Sequence, residues 1–235
     1  MTYEEIMLKL EELGTDQTKR IYLNHGVKEP YYGVKIGDLK KLVKYVKKDH
    51  GLALRLYDSG NHDAMYLAGL SINPKLVSKE TLEDWAEKAY WYMIAEYTVA
   101  GVAAESQYAR ELAKKWMDSD EEMMAVCGWS TYSNYLSITP DDELGLNEIR
   151  VLLNRVKNSV HNERNRVRYV MNGFVISVGS YVPALHEEAM GVAESIGKVH
   201  VDVGNTACKV PLASTYIKKI ADKNRIGLKR KTCIC

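Results

Sequence analysis

Residues 89–101 read AYWYMIAEYTVAG: three consecutive aromatics, then a single carboxylate, Glu96, in an otherwise apolar run. On a helix Tyr92 and Glu96 stand four residues apart and share a face, while Trp91 points elsewhere. A lone acid in such a run is either exposed at a helix edge or placed for chemistry. The structural alternative is an acid satisfied by a lysine or a helix N-terminus, because an unpaired buried charge is costly. The spacing alone leaves both readings open. Three basic clusters accompany this segment. Lys40, Lys41, Lys44, Lys47 and Lys48 line one side of a lysine-rich helix with Lys35 just ahead of it, and Arg164, Arg166 and Arg168 begin another helix. The stretch KKIADKNRIGLKRK (218–231) holds seven basic residues against one acid. Such clusters can follow a phosphate backbone, although a lysine stripe is commonly a solvated outer face.

Other chemistries find little support. His25, His50, His62, His161, His186 and His200 show no metal-ligand spacing, and no glycine-rich phosphate loop is present. Neither a metal nor a nucleotide cofactor is expected. Cys208 stands beside Lys209 and could act as a nucleophile, but a buried structural thiol is the expectation. The net charge of +1 provides no global field for nucleic acid or membrane, so a charged partner must be met by a local patch. Four scattered cysteines fit reduced thiols in a cytoplasmic protein. The N-terminal MTYEEIMLKLEEL is acidic and amphipathic, unlike a signal peptide, and no apolar run approaches the roughly 18 residues of a membrane span.

The elements that must position these residues are helices. Apolar stripes of helical period run through 3–13, the lysine helix (Ile36, Leu39, Leu42, Val43, Val46), 62–73, 80–103, 105–117, 121–136, 146–159, 164–178, 184–196 and 212–222. Pro30, Pro74, Pro140, Pro183 and Pro211 all fall between stripes. GKVHVDVGN (197–205) alternates like a strand without a partner and is read as an extended loop. SGNHDAMYLAGLS (59–71), SDEEMMAVCGWS (119–130) and HNERNRVRYVMNGFVIS (161–177) form a weak repeat, each a polar capping turn before an apolar helix with small residues near its middle. The fold class expected is all-α. Stacked helix pairs would form an α-α superhelix of the HEAT-like or armadillo kind, with one continuous core and a concave face, in preference to an irregular bundle. One domain would span 1–224, followed by a basic C-terminal tail at 225–235.

Over roughly 5–222 the chain resembles the DNA alkylation repair family, the AlkD-like DNA glycosylases built of HEAT-like repeats. The resemblance rests on YYGVKIGDLKKLVK, LALRLYDSGNHDAMYLAG, YWYMIAEYTVAG, AKKWMDSDEEMMAVCGW and RNRVRYVMNGFVISVG, in that order, and on AESIGKVHVDVGNTACKVPLASTYIKK, which is similar to the C-terminal block of one bacterial branch. It implies binding to double-stranded DNA and hydrolytic excision of N3- or N7-alkylpurines by a monomer needing no cofactor. A carboxylate beside the deoxyribose would stabilise the sugar cation, and aromatic side chains would pack near the lesion. Carried over, the family's acid falls on Glu96 and its aromatic on Tyr92, with Trp91 alongside; the lysines and arginines named above would hold phosphates. Two positions depart: the family's arginine falls on Val126 and its second tryptophan on Gly173. Glutamate in place of aspartate moves the carboxylate by about 1.5 Å, a displacement that can cost ~100-fold in rate. The expectation is that Glu96 looks out over a basic trough sized for a duplex. Two further readings stand beside the glycosylase: a non-catalytic binder of damaged or branched DNA, and a protein-interaction scaffold.

Overall fold

A computed structural model describes residues 1–234; Cys235, counted among the thiols above, lies outside the described residues. Among the described residues the regular structure is helical, and five of the helices begin where short polar side chains satisfy free backbone N–H groups. Thr2 and Glu5 form a capping box before α1 (Tyr3–Leu13), and Thr15 caps α2 (Asp16–Asn24). The lysine helix is α3 (Ile36–Val46). Asp49 caps α4 (His50–Asp58), Asn61 caps α5 (His62–Ser71) and Ser78 caps α6 (Lys79–Glu87). A π-helical segment (Ile94–Val99) then runs into α7 (Ala100–Ala104). It is followed by α8 (Ala109–Met117), α9 (Glu122–Ile138), α10 (Leu146–Ser159), α11 (Asn165–Tyr181), α12 (His186–Ile196) and α13 (Ala213–Ala221).

These helices stack as a superhelix of the expected kind. One row, called the inner row because the clefts described below open on it, runs α5, the π segment with α7, α9, α11 and α13, each packed on the next. Their partners lie behind: α4 against α5, α8 against α9, α12 against α11 and α13. The three repeated segments supply α5, α9 and α11, all inner helices. Small residues let the backbones close up: a Cβ on Gly128 of α9 would lie 2.5 Å from the Met117 backbone nitrogen, and one on Gly179 of α11 would lie 2.7 Å from Ile217 of α13. A single core runs through the stack, with Trp85, Trp116 and Trp129 among its fully buried side chains.

One expectation is corrected, and two helices are added to those expected. The stripe at 80–103 is not one helix: α6 stops at Glu87 and the chain turns before Tyr92, where Trp91 swings away to donate its ring N–H to the His25 carbonyl at 2.8 Å. Helices α2 and α4, nine residues each, were not anticipated as separate elements. Residues 197–205 lack regular structure, as expected of the loop. The basic C-terminal segment lies on the body. Gly227 donates to Ser180 at the end of α11, Arg230 to Ser137 at the end of α9, and Cys233 to the Glu105 carboxylate after α7. Among the described residues, no helix is long and apolar enough to cross a membrane.

Candidate nucleic-acid interface

Glu96 sits inside the π segment. The Ala100 N–H reaches back five residues to the Ala95 carbonyl, a widened turn of a kind frequent at functional sites. Across from it, α11 begins at Asn165, and its second residue points back at the π segment. The Arg166 guanidinium grips Glu96 in a two-pronged ion pair, Nε to Oε1 and Nη2 to Oε2, the latter at 3.0 Å. The Glu96 side chain is 7 % exposed and that of Arg166 14 %. The guanidinium is also held between two rings, 3.8 Å from the centre of Tyr92 and 4.0 Å from that of Tyr169. The Arg166 backbone N–H donates to the Glu122 carboxylate at 2.6 Å, tying the start of α11 to that of α9. Burial raises the Glu96 carboxyl above its ordinary range while the guanidinium pulls it back down. Burial also pushes the Tyr92 hydroxyl up to about 12, so it stays protonated, 3.0 Å from His25 Nδ1.

A cavity of about 480 Å³ opens beside this pair. Tyr92, Tyr97, Tyr169 and Arg166 line it, together with Asp202 and Cys208 from the 197–212 loop. Cys208 is exposed, which corrects the expectation of a buried thiol: the loop carrying it runs outside the core. Trp91 borders the cavity but is only 4 % exposed, packed with Tyr22 and Val27 in a small satellite cluster, so most of its ring is committed to the fold.

The structure brings Glu96, Tyr92, Trp91 and Arg166 together, but not in the arrangement expected. Glu96 does not look out as a free charge over a basic trough; it is buried and neutralised by one of the arginines assigned to phosphates. The other two arginines are engaged as well. Arg164 donates to the Ser119 and Asp120 carbonyls and lies 3.8 Å from Glu163, and Arg168 donates to Asn165 at 3.2 Å. The physical reason is the crowding of three arginines into a helix start that faces acids and free carbonyls. Lys35, Lys40, Lys41, Lys44, Lys47 and Lys48 are exposed as expected. They lie on α3, which buries Leu39, Leu42 and Val46 against its neighbours, and none borders the cavity. Lys41 is paired with Asp38 at 2.7 Å. Val126 is fully buried, and Gly173 faces open space. His25, Tyr97 and Tyr169 were not anticipated at the site; Tyr97 alone had a signal in the sequence, the density of tyrosines around 90–97.

Residues 6–217 match the model of a family described as DNA alkylation repair enzyme. The chain belongs to the DNA alkylation repair enzyme family. It is 39 % identical to the uncharacterized protein Lmo0209 of Listeria monocytogenes over 96 % of this chain and all of that one. It is 38 % identical to Lin0241 of Listeria innocua, also uncharacterized, over 97 % of this chain and all of that one. A solved structure superposes over the full length of both chains with a TM-score of 0.92 and 36 % identity; it is described as a new family of proteins related to the HEAT-like repeat DNA glycosylases with affinity for branched DNA structures. The family and the superhelix expected from the repeats are thus established.

Proposed function

We propose that this member of the family binds DNA at branch points and does not excise bases. The observation that carries the reading is the closed Glu96–Arg166 pair. Stabilising a sugar cation requires a carboxylate with uncompensated charge within reach of the deoxyribose. Here the carboxylate is 7 % exposed and bound on both oxygens by a guanidinium. Freeing it would break a buried ion pair, at a cost of about 3–5 kcal/mol. Val126, fully buried where the resemblance places an arginine, offers no phosphate contact either. The similarity to a protein with affinity for branched DNA supports the binding half of the reading.

The alternative is excision of N3- or N7-alkylpurines, with Glu96 at the sugar, Tyr92 and Trp91 near the lesion, and the α3 lysines with Arg164, Arg166 and Arg168 on phosphates. It requires the pair to open on double-stranded DNA. One experiment separates the two. Fluorescence anisotropy with a four-way junction and a linear duplex of equal length, repeated over a salt series, is expected to give tighter, steeply salt-dependent binding of the junction. The same preparation is expected to release no base from DNA carrying N7-methylguanine. Equal binding of junction and duplex, or no binding at low salt, overturns the proposal.

A further inference from the structure

Three depressions lie in series on the inner row, each sharing lining residues with the next. The cavity beside Arg166 shares Tyr97 and Tyr169 with a shallow depression of about 160 Å³. That depression shares Ser177 with a third, of about 530 Å³, at the far end of α11 and α13. Together they make a groove across the π segment, α9 and α11. Its middle is open because of Gly173. A glycine inside a helix costs about 0.5–1 kcal/mol relative to alanine. Gly128 and Gly179 are required by close packing, but a Cβ on Gly173 would meet nothing within 4 Å. Packing therefore gives no reason for the missing side chain at 173; what it leaves is a floor of bare helix.

The walls of the floor are suited to nucleic acid. Tyr97 is 51 % exposed at one side of the depression, Tyr169 is beside it, and Ser130, Ser133 and Asn134 supply polar groups. The far end is basic: Arg225, Lys229 and Arg230 border the third depression, Lys229 paired with Asp141 at 2.9 Å, and Lys218, Lys219 and Lys223 lie in or just after the adjoining α13. Arg225 is exposed, borders the third depression and makes no ion pair among the described residues. An exposed ring followed by a run of cations is the combination that holds single-stranded nucleic acid, the ring stacking a base and the cations tracking the backbone. A duplex keeps its base faces stacked inside and has none to offer.

We infer that the groove over Gly173 takes a single-stranded DNA arm, with one unpaired base resting on Tyr97 and the backbone running toward Arg225. This rests on the reading that branched DNA is the target and names the feature of the branch that is read.

The test compares a forked duplex carrying a single-stranded arm of about 10 nucleotides, a length within known single-strand site sizes, with a four-way junction that has no unpaired arm. Wild type is expected to prefer the fork. Tyr97→Ala and Gly173→Trp, the second filling the floor, are each expected to weaken fork binding about tenfold, the scale of one lost base stack, and to weaken four-way-junction binding by much less. Arg225→Ala is expected to flatten the salt dependence for the fork alone. Gly173→Ala is the folding control: it is expected to melt slightly higher than wild type and to bind the fork normally. Equal affinity of wild type for fork and junction, or losses that fall equally on both, overturns the groove while leaving branch binding intact. No binding of either probe by wild type overturns branch binding and the groove together.

Discussion

Asp63 and Glu96 are both buried carboxylates on neighbouring elements of the inner row, and they are satisfied in opposite ways. Asp63, fully buried at the start of α5, accepts three backbone N–H groups: Tyr32 at 2.6 Å, Gly33 at 3.0 Å and Val34 at 2.9 Å. Burial raises its carboxyl, and the three donors oppose that rise. Glu96 relies on the side chain of Arg166, which comes from a helix seventy residues further along. Fixed dipoles make Asp63 a clamp on the 31–34 segment. A rotatable guanidinium makes the Glu96 pair a joint between two inner helices, and the same contact withdraws the carboxylate from solvent. A buried acid in this fold is thus not evidence of chemistry until its partner is known.

The contrast can be broken by substitution. Asp63→Ala leaves three buried N–H groups without an acceptor and is expected to cost about 4 kcal/mol, read by urea denaturation. A loss below about 1 kcal/mol would mean that the clamp is not holding the loop. Arg166→Leu strands the Glu96 charge and is expected to cost about 3 kcal/mol, whereas Arg166→Leu with Glu96→Leu removes both charges and is expected to cost less than the single change. A double variant as unstable as the sum of its parts would contradict a mutual pair.

A third prediction concerns pH at the residue beside the clamp. His62 is fully buried against Trp91, 4.6 Å between ring centres, and burial drops its pKa from 6.5 to about 3. The unfolded chain takes up a proton below pH 6.5 that the folded chain refuses until near pH 3, so stability falls as pH drops through that window. Between about pH 7 and about pH 5 the loss from this one group is expected to be about 2 kcal/mol. His62→Phe, which keeps the ring and removes the titration, is expected to flatten the profile over that range. An unchanged profile would place the acid sensitivity elsewhere.

What was legible in the sequence follows from the range of each interaction. Helices α5, α9 and α11 were readable because capping turn, apolar stripe and small residues are all local. The exposure of the α3 lysines was readable for the same reason. Helices α2 and α4 were missed because nine residues carry too little period to stand out beside longer stripes. The π segment looks like ordinary helix in one dimension, and its contacts with α5 and α9 join residues far apart in the chain. Glu96 was picked out correctly as an acid needing an explanation, and Arg166 was picked out separately as a cation. Nothing local joins two residues seventy positions apart, so the step from a free acid over a basic trough to a closed ion pair could come only from the fold.

The most direct test of the central claim is base release from duplex DNA carrying N7-methylguanine, measured with wild type and Glu96→Gln at protein concentrations that saturate a four-way junction. A carboxylate locked by Arg166 predicts no release above the spontaneous rate from either protein. Release by wild type that disappears in Glu96→Gln would contradict the account.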